Sequence, residues 1–485
     1  MAASKGQLRP FLNEIHKAAN YIMEHVEKRH LISVVSHMDA DGISAAGIMG
    51  TSLARMGATF RVRIERWFDN KVAETIASEK NALTILTDMG SGYLDILNDK
   101  MKGKPLIILD HHQPNGEAIK DFVHVNPQLF GFNSSRDISG SGMAYLTAKA
   151  LSEENMDLAC LGVVGALGDM QDKNKERSLG GANQIVVEDA VKSGKMETVI
   201  DLIFFGRETR PIHKALAYTT TPFIPGISGE EDKSLDFLMR LGIKLKINEK
   251  WRALRDLSQE EKRQIFSSLS DYLLSKGLKS DVAMSLLGTV YILTNEEPWT
   301  PLRDAREFAL LLNSTGRTGK PGLGVAICMG DRGRCLEEAN KALDKYRQAI
   351  SEILRWIDDH PDWLEERKNI YVFHGGETVD EKMISAVSTI LMTNVPNMNK
   401  PVIAYAVIPE EGILKISART VDELTFKGFN IGEVMRVSAE KFNGTGGGHD
   451  IAAGAQVPMK FREEFLKTID DLVEDNIKRL AKNGG

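Results

Sequence analysis

The chain has 485 residues, 42% of them hydrophobic and 26% charged, and a formal net charge of −6. That length is too great for one core and calls for two or three domains, while the acidic balance argues against a protein coated in nucleic acid and leaves room for a local basic groove. No apolar run reaches membrane-spanning length, Met1-Ala2-Ala3-Ser4-Lys5 lacks the apolar centre of a signal peptide, and Cys160, Cys328 and Cys335 form neither a disulfide framework nor a zinc pattern, so a reducing, cytoplasmic setting is expected.

Residues 1 to about 215 read as short strands alternating with helices. Leu31–Ser36, Ala82–Thr87 and Pro105–Leu109 are near-continuous apolar runs, which suits a parallel sheet covered on both faces. A small-residue helix, Leu158–Leu167, follows. The stretch Thr219–Gly226 breaks the rhythm with Pro and Gly. Residues 226–298 are predicted to be a mostly helical insert, either a partner-binding module or an extension of the first domain. Within it Ser258-Gln259-Glu260-Glu261 is a capping box ahead of Ile265, Leu269 and Tyr272. A connecting region, 299–358, carries the segment Asn313–Gly319, with a Gly-Arg-Thr-Gly loop at 316–319, and a long helix from Arg334 to Asp358, with Leu336, Ala339, Leu343, Tyr346, Ile350 and Ile353 on one face. Residues 359–485 form a second α/β domain, with strands near Ile370–Phe373, Pro401–Val407 and Leu414–Ala418. The expected fold class is α/β: two α/β lobes joined by a long helix, with a helical insert.

Metal-type ligands stand at or beside the ends of the apolar elements. The first strand runs into His37-Met38-Asp39-Ala40-Asp41-Gly42, the second into Asp88, the third into Asp110-His111-His112, and the small-residue helix into Gly168-Asp169. Open α/β sheets place ligands at the carboxyl ends of their strands, so these groups are expected to converge. Clustered carboxylates repel unless cations lie among them. Imidazole and carboxylate without thiolate suit Mn2+ or Mg2+ better than Zn2+, and a metal pair suits phosphoryl chemistry. Alternate residues His37, Asp39 and Asp41 are expected to share one side, with Gly42 giving a sharp turn. Each motif alone has a plainer reading. Asp-x-Asp-Gly occurs in calcium loops, although here Gly50 takes the place of the loop glutamate. Paired histidines pack in cores, and a strand-end aspartate often caps a helix. Asp172 reads as a solvent-exposed cap.

In this order the motifs resemble those of the DHH phosphoesterase superfamily, and Gly446-Gly447-Gly448-His449 with Ala452-Ala453-Gly454 looks like its companion DHHA1 domain. The length, the insert and the Arg303–Gly319 segment resemble archaeal RecJ-like single-strand exonucleases of the GINS-associated type. The resemblance implies that His37, Asp39 and Asp88 hold one divalent ion. Asp41, Asp88, His111 and Asp169 would hold a second, with Mn2+ preferred and Mg2+ the alternative. Asp110 would orient a ligand imidazole and His112 would face the scissile phosphate. Single-stranded DNA or RNA is the implied substrate. GINS, with the MCM helicase as a further partner, would bind through the insert, in DNA replication or repair, with no membrane association. The cleft between the two lobes would admit one strand. Two rivals remain: a small-substrate hydrolase acting on short oligoribonucleotides, phosphoadenosine phosphate or cyclic dinucleotides, and a replisome scaffold.

For substrate contacts, Gly446, Gly447 and Gly448 are expected to form an anion-binding nest with His449 as a further donor. Ser417 and Arg419 look like family positions that touch nucleotide; a surface salt bridge is the plainer role for Arg419. The helix predicted from near Met143 would offer its amino end to a phosphate, helped by Arg136, with Ser139 either touching substrate or capping. Arg317, in a Gly-Arg-Thr-Gly loop, is a comparable backbone contact.

Overall fold

The computed structural model describes residues 5–219, 222–392 and 400–483; Met1 to Ser4, and Thr220 and Thr221 of the expected break, lie outside the described residues. The chain divides into two compact units, Met1–Leu343 and Asp344–Gly485. The first is built on a five-stranded parallel sheet of β1 (Ile32–His37), β2 (Phe60–Glu65), β3 (Leu83–Thr87), β4 (Leu106–Leu109) and β5 (Phe122–Val125), in the order β2-β1-β3-β4-β5. Every residue of β3 and β4 is buried, because helices and loops cover both faces. One face packs against the helices Lys5–Glu27, Ala40–Arg55, Gly140–Leu151 and Ala159–Gly168, burying Phe11, Ile43, Met49, Tyr145 and Val164. The other carries a smaller core around Phe68, Leu94, Leu97 and Ile108. Strand β2 escaped the sequence reading. Its Phe-Arg-Val-Arg-Ile-Glu alternates apolar with charged because it is an edge strand.

The helical module has a core of its own drawn from Leu202 to Leu286, including Phe204, Leu216, Leu254, Ile265 and Leu269. It therefore begins before residue 226. It is flanked by the antiparallel pair β6 (Met196–Leu202) and β9 (Leu287–Leu293) and holds a hairpin, β7 (Lys246–Ile247) and β8 (Lys250–Trp251). The Ser258–Glu261 capping box forms as its sequence requires. The Gly-Arg-Thr-Gly stretch at 316–319 is not a loop throughout. An Asp304-capped helix spans Ala305–Arg317 and includes its first two residues. Gly316 stays helical because a Cβ there would collide with the Met38 carbonyl; the glycine serves close approach, not a turn. The long helix is Arg334–Asp359.

The second unit has a six-stranded mixed sheet of β10 (Leu364–Glu366), β11 (Tyr371–Gly376), β12 (Val402–Ile408), β13 (Ile413–Arg419), β14 (Thr445–Gly448) and β15 (Ala452–Pro458), ordered β10-β11-β12-β13-β15-β14. Only β11 and β12 pair in parallel. The helices Ile431–Glu440 and Arg462–Asn483 contribute to its core, with Val434, Met435, Phe465 and Ile469 buried against Ile403, Ile416 and Val457.

Candidate metal centre

Strand β1 stops at His37 and a helix begins at Ala40, so Asp39 is its N-cap, accepting from the Gly42 amide at 3.0 Å. Asp39 and Asp41 therefore do not alternate as in a strand. The helical start sends Asp39 back to His37, 2.8 Å from Nδ1, and Asp41 elsewhere. Gly42 makes no sharp turn either. It lies in the helix, where a Cβ would collide with the His37 backbone. Thr87 pins the neighbouring strand end by donating to Ser36 Oγ at 2.7 Å. The Asn313 side chain fixes the loop from outside, accepting from the Ala40 amide at 2.9 Å.

Asp41 is fully buried and receives the Gly140 amide at 2.6 Å and the Ser141 amide at 3.0 Å. These are the first free N–H groups of a helix that starts at Gly140, not Met143, with Ser139 as its N-cap. The anion at this helix end is thus the protein's own carboxylate. Ser139 is fully buried, with its hydroxyl on the Gly142 amide and Ser141, so the expected substrate contact is replaced by capping.

Two histidines are set by backbone carbonyls. His37 Nε2 lies 3.2 Å from Arg66 O, and His111 Nδ1 lies 2.9 Å from Ser134 O. A carbonyl only accepts, so each of these nitrogens carries the hydrogen, and the other nitrogen of each ring faces the carboxylates. His37 Nδ1 then faces Asp39, and Asp88 Oδ2 at 3.9 Å. His111 Nε2 faces Asp88 Oδ1 at 3.2 Å, Asp169 Oδ2 at 3.3 Å and Asp41 Oδ2 at 3.6 Å. Ligand atoms of His37, Asp39 and Asp88, and separately of Asp41, His111 and Asp169, lie within 4.8 Å of one another. Asp88 turns one oxygen to each set.

Asp88 itself is 2% exposed and adopts φ of 56°, a strained left-handed conformation for a non-glycine. Neither of its oxygens accepts an aligned hydrogen bond among the described residues, although His111 is close. Burial, with Asp41 and Asp39 beside it, pushes its carboxyl well above the usual range. Burial and Asp169 push Asp41 up to about 6. For Asp39, burial works upward, but the neighbouring His37 prevails and holds it low. Burial lowers the His111 imidazole, yet Asp169 and Asp88 raise it well above its ordinary value. Lone pairs and carboxylates converging on common points are what divalent cations would satisfy, so the oxygen and imidazole donor set fits a metal pair.

Asp110 is fully buried, accepting from the Ser91 amide at 2.7 Å and contacting His112 Nδ1 at 2.7 Å. Burial works against its charge, but His112 and the Ser91 amide hold its carboxyl low. The imidazole it orients is therefore His112, while Ser134 O orients His111. Asp172, expected as an exposed cap, is buried against Arg306, 2.5 Å from its Nη2.

Among the other expected contacts, Arg136 lies half-buried on the turn after Asn133, and Arg317 is the last residue of its helix. In the second unit Arg419 donates to Thr389 Oγ1 at 3.0 Å, Ser385 Oγ at 2.9 Å and Ser417 Oγ at 3.1 Å. Ser417 is buried against Ser388. Gly446, Gly447 and Gly448 are not a nest but the edge strand β14, in register with Ala455, Gly454 and Ala453. His449 follows them, its amide on Ala452 O at 2.8 Å.

A parallel sheet whose carboxyl edge gathers histidines and aspartates in two sets, with a separate mixed-sheet unit, defines the two-domain DHH phosphoesterase class. The DHH family N-terminal domain matches residues 31–165, the DHH-CID domain 204–287 and the DHHA1 domain 368–475. The uncharacterized protein MJ0831 of Methanocaldococcus jannaschii is 32% identical over 479 residues, 96% of this chain and 99% of its own. Two solved structures share the fold. CDC45 from Entamoeba histolytica has a TM-score of 0.62 at 10% identity, covering 96% of this chain and 99% of that one. RecJ in complex with Mn2+ from Thermus thermophilus has a TM-score of 0.57 at 17% identity, covering 95% of this chain and 55% of that one. The chain belongs to the DHH/DHHA1 family and is a RecJ-like member of it.

Proposed function

We propose that this chain is a two-metal exonuclease that shortens single-stranded DNA or RNA to mononucleotides. The observation that carries the reading is Asp88: a carboxylate buried without an aligned hydrogen bond among the described residues, set between two imidazole–carboxylate groups. His37, Asp39 and Asp88 would hold one divalent ion, and Asp41, Asp88, His111 and Asp169 the other, with Mn2+ favoured over Mg2+. Bound there, the pair supplies Lewis acidity toward a phosphodiester oxygen and the attacking water. The protein's own part is positional. Arg66 O and Ser134 O hold the two imidazoles in the tautomers that present lone pairs. The Gly140 and Ser141 amides fix the direction of Asp41. Asp110 fixes His112, which would hold or pass a proton at the phosphate.

The test is hydrolysis of end-labelled single strands, DNA and RNA, with Mn2+ or Mg2+, comparing wild type with Asp88→Ala. Stepwise shortening that the variant loses supports the exonuclease, and the two labels give polarity. Turnover of dinucleotides alone would replace it with the small-substrate hydrolase. A second reading rests on the likeness to CDC45 and on the DHH-CID match: the module at 204–287 would dock a replisome partner, GINS with the MCM helicase, beside or instead of catalysis. Calorimetric titration of the full chain with GINS tests it; absence of heat at micromolar concentrations removes that partner.

A further inference from the structure

The turn after Asp169 grips the His111 imidazole at both ends. Met170 adopts φ of 55°, and the amides of Asp169, Met170 and Gln171 close the turn on Gly165, Leu167 and Ala166 carbonyls. Asp169 Oδ2 meets His111 at Nε2. Gln171, 1% exposed, donates from Nε2 to Ser134 O at 2.9 Å. That carbonyl also takes the hydrogen of His111 Nδ1. The Gln171 amide cannot turn over, because Asn183 Nδ2 donates to its Oε1 at 2.6 Å while its Nε2 also reaches Ile138 O at 3.2 Å. Gln128 closes the ring, donating to Ser134 Oγ at 2.9 Å and His111 O at 3.0 Å.

From this geometry we infer that Gln171 is a positioning residue for the metal set containing His111. By occupying the second lone pair of Ser134 O, it locks the carbonyl that fixes the ring's tautomer and direction. A carbonyl with two donors is better oriented than one with a single donor, and outer partners of this kind set how well a metal-ligating imidazole binds. Its position in the turn ties the ring's two ends together: a change at Gln171 reaches Nδ1 through Ser134, while Asp169 meets Nε2. The His37 set has its own carbonyl, Arg66 O, and should not respond. The inference rests on the metal reading above.

The decisive experiment is Mn2+ titration calorimetry of the full chain, wild type against Gln171→Glu. The glutamate keeps size and the acceptor for Asn183 but replaces the donor to Ser134 O with an oxygen. Two binding phases are expected in wild type, and the variant should weaken one of them by about 10–100-fold. The other should keep its affinity within about twofold, and metal-free melting should hold within a few degrees. Gln171→Met, which removes the donor without adding charge, should weaken the same phase. Equal affinities in wild type and both variants would overturn the assignment, as would loss of both phases together with a fall in metal-free melting. Wild-type protein that binds no Mn2+ would overturn the metal reading and this one together.

Discussion

At the scale of single residues the site is defined by groups that cost stability until a cation arrives. Asp88 is the clearest case. A buried carboxyl with no aligned donor among the described residues is costly to ionise, which is why it is pushed well above the usual range. Asp88→Asn is therefore expected to raise the metal-free stability by roughly 1–3 kcal/mol while abolishing the rise in melting temperature that Mn2+ gives the wild type; fluorescence melting with and without the ion reads both. Asp41 sets a pH dependence. Its carboxyl is pushed up to about 6 in the metal-free fold, against an ordinary value near 3.9. A raised acid contributes stability below its unfolded value and loses it as pH rises through the folded one. The metal-free protein should accordingly weaken between about pH 4 and 6, by an amount on the order of 2–3 kcal/mol for this group alone. Bound metal should remove that loss, and metal uptake at pH 5.5 should release protons, seen as a buffer-dependent heat. A metal-free denaturation midpoint that rises over this pH range would contradict the assignment.

Single elements decide whether those residues meet. The Asp304-capped helix packs Gly316 on the Met38 carbonyl and Asn313 on the Ala40 amide, so it buttresses the His37–Asp41 loop from a distance of some 270 residues in sequence. Gly316→Ala would raise helix propensity in isolation. In the fold it should cost about 1–3 kcal/mol by overpacking and lower Mn2+ affinity, with equilibrium denaturation and metal titration as the two readouts. A variant as stable as wild type would show that the helix does not bear on the loop. Legibility also divides by element. Strands β1, β3 and β4 are readable because strands buried on both faces are apolar throughout. β2 is not, because an edge strand can be half charged. The expected Gly-Arg-Thr-Gly loop starts later than its glycines suggested, because Gly316 lies in a helix and serves contact with a carbonyl far away in the chain.

Across the whole molecule, the two units have separate cores, and all six candidate metal ligands lie in the first. Ligand that binds one folded unit stabilises that unit. Scanning calorimetry should therefore show Mn2+ moving the transition of the first unit and leaving that of the second within about a degree or two; an equal shift in both would mean that they unfold as one. The sequence alone determined which residues are metal-type ligands, because short motifs sit where apolar runs end and need no distant information. It also determined the α/β class, through the periodicity of buried strands. Only the tertiary structure decided that a helix start rather than an extended run separates Asp39 from Asp41, and that Gly140 and Ser141 spend their amides on Asp41. It alone decided that Gly446–Gly448 is a paired strand and that Asn313 and Gln171 stand behind the ligands. The physical reason is range. Apolar periodicity and capping act over a few residues and leave their mark locally. Contacts such as Gly140 on Asp41 and Asn313 on Ala40 join residues 99 and 273 apart, and nothing in either local stretch records the other.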